Sequence, residues 1–190
     1  MPETDALVRE IEQLKRDRDA VVLAHYYVPS EVQDVADYVG DSFALAKLAV
    51  QLPQKTVVMC GVRFMGESAK LLNPDKTVLL PNPQADCPMA HMVRKEDVDR
   101  VRAEHPDVAV VCYVNSTAEI KSWSGVCVTS SNAVKICREL PESEIFFIPD
   151  ANLGRHVAEQ LPEKHVILNN GCCPRHQAIT AEQVEAAKHE

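Results

Sequence analysis

The sequence predicts an α/β protein made of pseudo-symmetric three-layer α/β/α domains with parallel four-stranded sheets. Two observations carry this expectation. Short apolar, β-branched runs alternate with segments of helical spacing, and the runs are apolar at consecutive positions, as strands covered on both faces must be. The chain also repeats itself, and a repeat outranks any local pattern as a guide to architecture. Residues 21–53 align with 109–141 at a constant offset of 88 residues (25 to 113), pairing His25 with Tyr113, Val22 with Val110, Glu31 with Glu119, Ser42 with Ser130 and Pro53 with Pro141. The offset continues through Gly66 with Gly154, Lys76 with Lys164, Val78 with Val166 and Leu80 with Leu168. It then shifts to 86 (87 to 173), pairing Cys87 with Cys173 and residues 94–104 with 180–190.

Each unit reads as β-α-β-α-β-α-β. In the first, VVLAHYY (21–27) is a strand. Phe43, Ala46, Leu48 and Val50 mark a helix opened by Asp41–Ser42, since Asp and Ser are favoured at helix starts. TVVMCG (56–61) is a strand, FMGESAKLLN (64–73) a helix stopped by Asn73–Pro74, and TVLLP (77–81) a strand. The second unit follows with VAVVCYV (108–114), a short helix at STAEIKSW (116–123), VCVT (126–129), a helix over SSNAVKICREL (130–140), IFFIP (145–149), NLGRHVAEQL (152–161) and HVILN (165–169). The domain boundaries expected are 1–87 for the first repeat with its N-terminal helix, 88–171 for the second with a linker helix, and 172–190 for a linker helix directed toward a third repeat.

Composition narrows the class. With 46% hydrophobic and 25% charged residues, the 190-residue chain is ordinary globular protein. A net charge of −8 gives no broad electrostatic case for nucleic acid or an anionic membrane. No apolar run approaches the roughly 18 residues of a membrane span, and the charged N-terminus has no signal-peptide core. The expected location is cytoplasmic. Seven cysteines, an odd number in a reducing compartment, argue against a disulfide framework. Most are expected to be buried as small hydrophobes: Cys60, Cys112 and Cys127 lie in strand-like runs and Cys137 in a helical one. Cys87, Cys172 and Cys173 stand apart, among Pro, Gly, Asn and Asp.

Ligands of open parallel sheets bind beyond the carboxyl ends of the strands. That rim holds His25, Tyr26 and Tyr27 in the first unit and Tyr113 and Asn115 in the second. Ser42 and Ser130 stand where helices begin, and free N–H groups and the helix dipole there favour an anion. Taken singly, the serines suit helix caps, Tyr113 suits packing, and Asn115 and Thr117 suit turns. Their coincidence in both units points instead to paired carboxylate-binding rims. Trp123 reads as packing, and His91, His105, His156, His165 and His189 as surface residues. Cys87 and Cys173 each follow the last strand of their unit, where thiols of successive units are expected to converge on a pseudo-rotation axis. Soft thiolates suit zinc or an iron–sulfur cluster. A zinc site from Cys172, Cys173 and His176 is a weaker reading, because C-C-x-x-H crowds its ligands.

The segments LAHYYVPSEVQDVADYVGDS, VVMCGVRFMGESAKLLNP, ADCPMA, CYVNSTAEIK, VTSSNAVKI, PDANLGRHV and GCCPRH resemble the quinolinate synthase family over nearly the whole chain. The resemblance implies three α/β/α domains around a [4Fe–4S] cluster. It implies condensation of iminoaspartate with dihydroxyacetone phosphate to quinolinate in de novo NAD biosynthesis, with L-aspartate oxidase as a supplier of iminoaspartate. Carried over by position, it makes Cys87 and Cys173 cluster ligands and His25, Ser42, Tyr113, Asn115 and Ser130 substrate contacts. Tyr27, with His25, takes a catalytic, proton-transfer role. Three cysteines on a four-iron cluster would leave one iron open as a Lewis acid. The family's third-domain His-Pro-Glu and Gly-Ser-Thr motifs and third cysteine do not occur here, so this chain alone is expected to be weak or inactive. The alternative from another class is a non-catalytic dicarboxylate-binding or assembly module completed by a separate third-domain chain.

Overall fold

A computed structural model describes residues 2–189, and the chain divides into two compact units, 1–87 and 88–190. In the first, α1 (Pro2–Asp17) leads into β1 (Ala20–His25), α2 (Ser30–Asp34), β2 (Tyr38–Gly40), α3 (Ser42–Gln51), β3 (Thr56–Cys60), α4 (Arg63–Leu72) and β4 (Thr77–Leu79). In the second, a 3-10 turn (Pro88–His91) and α5 (Lys95–Glu104) precede β5 (Ala109–Tyr113), α6 (Ala118–Ser122), β6 (Val126–Val128), α7 (Ala133–Glu139), β7 (Glu144–Ile148), α8 (Ala151–Gln160) and β8 (His165–Leu168). Two further helices follow, α9 (Pro174–Gln177) and α10 (Ala181–Ala187). Both sheets are four-stranded, wholly parallel and ordered alike, β2-β1-β3-β4 and β6-β5-β7-β8. The α/β class and the parallel sheets agree with the sequence reading.

The central strands are buried on consecutive positions. Val21 to Ala24 of β1, Val110 to Cys112 of β5 and Ile145 to Ile148 of β7 are all buried. In the second unit their alternate side chains feed two separate cores. Val110, Cys112, Phe146 and Ile148 pack with Val98 and Val101 of α5 and Ile120 of α6, with Trp123 against them. Val111, Ile145 and Phe147 pack with Ala133 and Cys137 of α7 and Val157 of α8. Helices therefore cover both faces, and each fully buried Val, Ile or Phe contributes about 1.5–3 kcal/mol.

The sequence repeat has a physical content at two positions. Gly66 and Gly154 lie where a Cβ would come within 2.9 Å of Leu80 Cδ2 and 2.8 Å of Leu168 Cδ2 respectively. The paired glycines let α4 and α8 settle onto the ends of their sheets. Lys76 donates through Nζ to the Ala49 carbonyl at 2.6 Å and to that of Leu52. Lys164 does the same to Leu140 and Glu142, at 2.5 and 2.7 Å. Each lysine satisfies carbonyls left open at the end of α3 or α7 and opposes the negative end of the helix dipole.

Several elements differ from expectation. Strand β1 stops at His25: Tyr26 N still donates to the Gly40 carbonyl, but Val28 N turns back to the His25 carbonyl and the chain leaves the sheet. Helix α7 begins at Ala133, not at Ser130, because the Asn132 side chain accepts from Thr129 N and holds 129–132 as a turn. The last helix spans Ala181–Ala187, and Glu190 lies outside the described residues. Cys112 and Cys137 are buried, as expected of strand and helix thiols, and Cys60 is half-buried. Cys127 is exposed, because β6 is an edge strand. Among the described residues, no helix is long and apolar enough to cross a membrane.

Replacing Lys164 by Met should leave the Leu140 and Glu142 carbonyls without their donor and cost about 1–3 kcal/mol. Urea denaturation checks this; an unchanged midpoint would contradict the bracing role.

Candidate active site

The site residues are placed by register. In the first unit His25, the last residue of β1, pairs with Gly40, the last of β2, and Ser42 follows two positions beyond. In the second, Tyr113 ends β5 and pairs with Val128, the last of β6, and Ser130 follows two positions beyond. The backbone continues the match: Tyr26 N donates to the Gly40 carbonyl and Val114 N to that of Val128. In both sheets the chain runs from the central strand to an edge and then crosses back over it. His25 and Tyr113 therefore stand at the carboxyl end of the strand where the order reverses, the place where such sheets bind ligands.

His25 is held in a defined state. Tyr27 N donates to its Nδ1 at 3.1 Å, so the neutral ring carries its proton on Nε2. Burial lowers its pKa from the ordinary 6.5, partly countered by the nearby Asp41 carboxylate. The Tyr27 ring meets the imidazole edge-on with centroids 4.5 Å apart and is itself 90% exposed. Across the switch point, a Cβ on Gly61 would lie 2.9 Å from Met65 Sδ and 3.6 Å from His25 Cβ. A glycine after β3 thus leaves room for the Met65 side chain.

The two helix starts are not equivalent. Asp41 caps α3, accepting from Phe43 N and Ala44 N at 2.9 and 2.8 Å. Its carboxylate takes the N–H groups that the sequence reading left free for an anion, and Ser42, the first helical residue, is not the cap. In the second unit α7 has no side-chain cap. Thr129 Oγ1 and Ser131 Oγ bond each other at 2.8 Å, and Ser130 stands exposed between them. The start of α7 thus holds no side-chain carboxylate, unlike that of α3. Asn115 is half-buried in the β5–α6 loop. That loop is fixed by Ser116, whose Oγ donates to the Tyr113 carbonyl at 2.9 Å, and by Thr117, which caps α6.

Cys87 and Cys173 share a local setting. Each is a half-buried free thiol followed by a proline that opens a one-turn helix, Pro88–His91 or Pro174–Gln177. Cys173 occupies the cap position of α9 without a side-chain cap bond, which leaves its sulfur free to ligate. Two residues missed by sequence reasoning hold the second loop. Asn169, buried, donates from Nδ2 to the carbonyls of Met92 and Pro149 at 2.9 and 2.8 Å. Gly171 precedes the cysteines where a Cβ would sit 2.6 Å from the Pro149 carbonyl oxygen. Cys172, Cys173 and His176 do not form a compact triplet: among the described residues the metal-ligating group of three is elsewhere.

Comparison with known proteins gives the family. The family model described as quinolinate synthetase A protein matches residues 9–190. The chain belongs to the quinolinate synthetase A family. Curated relatives named quinolinate synthase include one from Fusobacterium nucleatum subsp. nucleatum, 52% identical over 180 residues, covering 95% of this chain and 60% of the relative. Another, from Caldicellulosiruptor bescii, is 51% identical over 184 residues, covering 97% of this chain and 61% of the relative. One from Clostridium perfringens strain 13 is 49% identical over 181 residues, covering 95% and 60%. The chain spans about 60% of the length of these quinolinate synthases.

Two outcomes are expected. The His25 ring should titrate below 6.5 in an NMR series, and Asp41→Asn should lower the midpoint further by removing the favourable carboxylate. Because the folded state then binds the proton less readily than the unfolded one, His25's contribution to stability is full above pH 6.5. It is lost as pH falls from 6.5 toward the folded value. A midpoint above 6.5 would contradict the buried, neutral assignment. Gly171→Ala should cost about 1–3 kcal/mol through its backbone clash, read from thermal or urea unfolding; an unaltered transition would contradict it.

Proposed function

We propose that this chain supplies the first two substrate-binding rims of a quinolinate synthase, the enzyme that condenses iminoaspartate with dihydroxyacetone phosphate and releases two waters and phosphate. The observation that carries the reading is the doubled rim: ring residue at the end of the central strand, serine two positions past the neighbouring strand, in both units of a chain of this family. The activity proposed is that of the full-length relatives and needs the part of them beyond this chain's span. Iminoaspartate formed by an L-aspartate oxidase is its proposed source, and the cytoplasm its proposed location.

The residues divide the work by their chemistry. His25, neutral and protonated on Nε2, donates a hydrogen bond to a substrate oxygen without adding charge. Ser42, its hydroxyl not committed to capping, donates beside it. Asp41 makes this rim poor for a full carboxylate, so the stronger anion subsite falls to Ser130, at the uncapped start of α7, with Tyr113 and Asn115. Tyr27 would move a proton at the reacting carbons through its hydroxyl, a role that its exposed ring, edge-on to His25, supports.

The thiols fit a [4Fe–4S] cluster by donor type: Cys87 and Cys173 are free, half-buried and set alike in Cys–Pro turns. They would be its two ligands from this chain. When bound, the cluster supplies an open iron that acts as a Lewis acid toward a substrate oxygen.

Anaerobic reconstitution with iron and sulfide tests the proposal. Cys87→Ser and Cys173→Ser should each lose most of the broad iron–sulfur absorption, while Cys127→Ser, on the exposed edge strand, should retain it. The chain alone should form little or no quinolinate. Retention of the full signal in both ligand variants, or robust turnover by the isolated chain, would overturn it.

A further inference from the structure

We propose that His105, Glu144 and His165 form a divalent metal site of the zinc class at the amino-terminal edge of the second sheet. The three are far apart in sequence and are brought together by topology. Glu144 opens β7, His165 opens the neighbouring β8 and pairs with it in register, and His105 caps the end of α5 on the approach to β5, the other neighbour of β7. Glu144 Oε1 lies 3.0 Å from His105 Nδ1 and 2.9 Å from His165 Nδ1. One ligating atom from each residue lies within 4.8 Å of the others.

These spacings match what an ion requires. Tetrahedral zinc with bonds of about 2.0–2.1 Å has ligand–ligand edges of about 3.3 Å, so the two edges to Glu144 lengthen by a few tenths of an ångström, and the two imidazoles, within 4.8 Å of each other, swing to the same spacing. Two imidazoles and a carboxylate suit zinc, cobalt or nickel better than the all-oxygen preference of calcium or magnesium. The side chain of His165 is 63% exposed, while His105 and Glu144 are 28% and 31% exposed. An ion can therefore enter from solvent and keep a water as its fourth ligand.

The internal repeat supplies a control. At the offset of 88 residues, the first-unit counterparts of His105, Glu144 and His165 are Asp17, Thr56 and Thr77. Thr56 and Thr77 hold the same register pairing, so that unit builds the same sheet without this donor set. The triplet is thus not demanded by the shared fold. It also lies at the strand ends opposite the Tyr113 rim, so the ion's role is to tie the starts of β7 and β8 to the end of α5 rather than to act on substrate.

The test is a zinc titration of untagged, chelator-stripped chain, followed through the histidine ring signals by NMR. This readout separates the triplet from the thiols, which bind zinc independently. The ring signals of His105 and His165 should move together and saturate, while that of His25 stays in place. Glu144→Gln and His165→Asn should each weaken this response by roughly 10-fold or more, at least the loss that a supporting residue of a metal site causes. Both variants should keep the native unfolding midpoint in chelator to within about 2 °C. Ring signals that stay unmoved at saturating zinc, or a response unchanged in Glu144→Gln, would overturn the site and leave the three residues as a hydrogen-bonded strut.

Discussion

The structure depends on one constraint, the parallel pairing of a buried central strand with the short edge strand beside it. Strands β1 and β5 are apolar at every interior position, so helices must cover both faces of each sheet, and parallel crossover connections follow. The pairing also fixes a rim. Because His25 faces Gly40 and Tyr113 faces Val128, each ring stands beside the turn that leads to its serine. In the second unit a one-residue slip of β6 would turn Val126 and Val128 away from the core, so burial there enforces the register that sets Tyr113 beside its turn.

Shared backbone geometry does not make the two rims chemically alike. One carries a neutral imidazole and a helix start already occupied by a carboxylate; the other carries a phenol and a helix start with no side-chain cap. The lysines behind the sheets and the glycines beneath α4 and α8 are kept in both units, because they serve the fold that the rims share.

Much of this was legible in the sequence because the repeat acts as an alignment of the chain with itself. The four strands of the second unit, the matching of Ser42 with Ser130, and the loop setting of Cys87 and Cys173 could all be read from spacing and turn residues. The rest depended on neighbours distant in sequence. That Asp41 rather than Ser42 caps α3 turns on which side chain reaches the Phe43 and Ala44 N–H groups, and Asp and Ser are equally good caps by type. The exposure of Cys127 follows from β6 lying at a sheet edge, which an apolar run does not reveal. Asn169 and Gly171 look like ordinary turn residues until the Pro149 carbonyl is found against them. The His105–Glu144–His165 group is invisible to motif reading because each member sits alone in a polar context.

Binding of a four-carbon dicarboxylate such as malate, mapped by backbone amide shifts, decides whether the paired rims take a carboxylate. Saturable shifts are expected at the carboxyl-end rims, larger at Tyr113 and Ser130 and smaller at His25 and Ser42, where Asp41 already occupies the helix start, with the amino-terminal strand ends quiet. A dicarboxylate that leaves these four amides unmoved, or that shifts only the opposite ends of the strands, would contradict it.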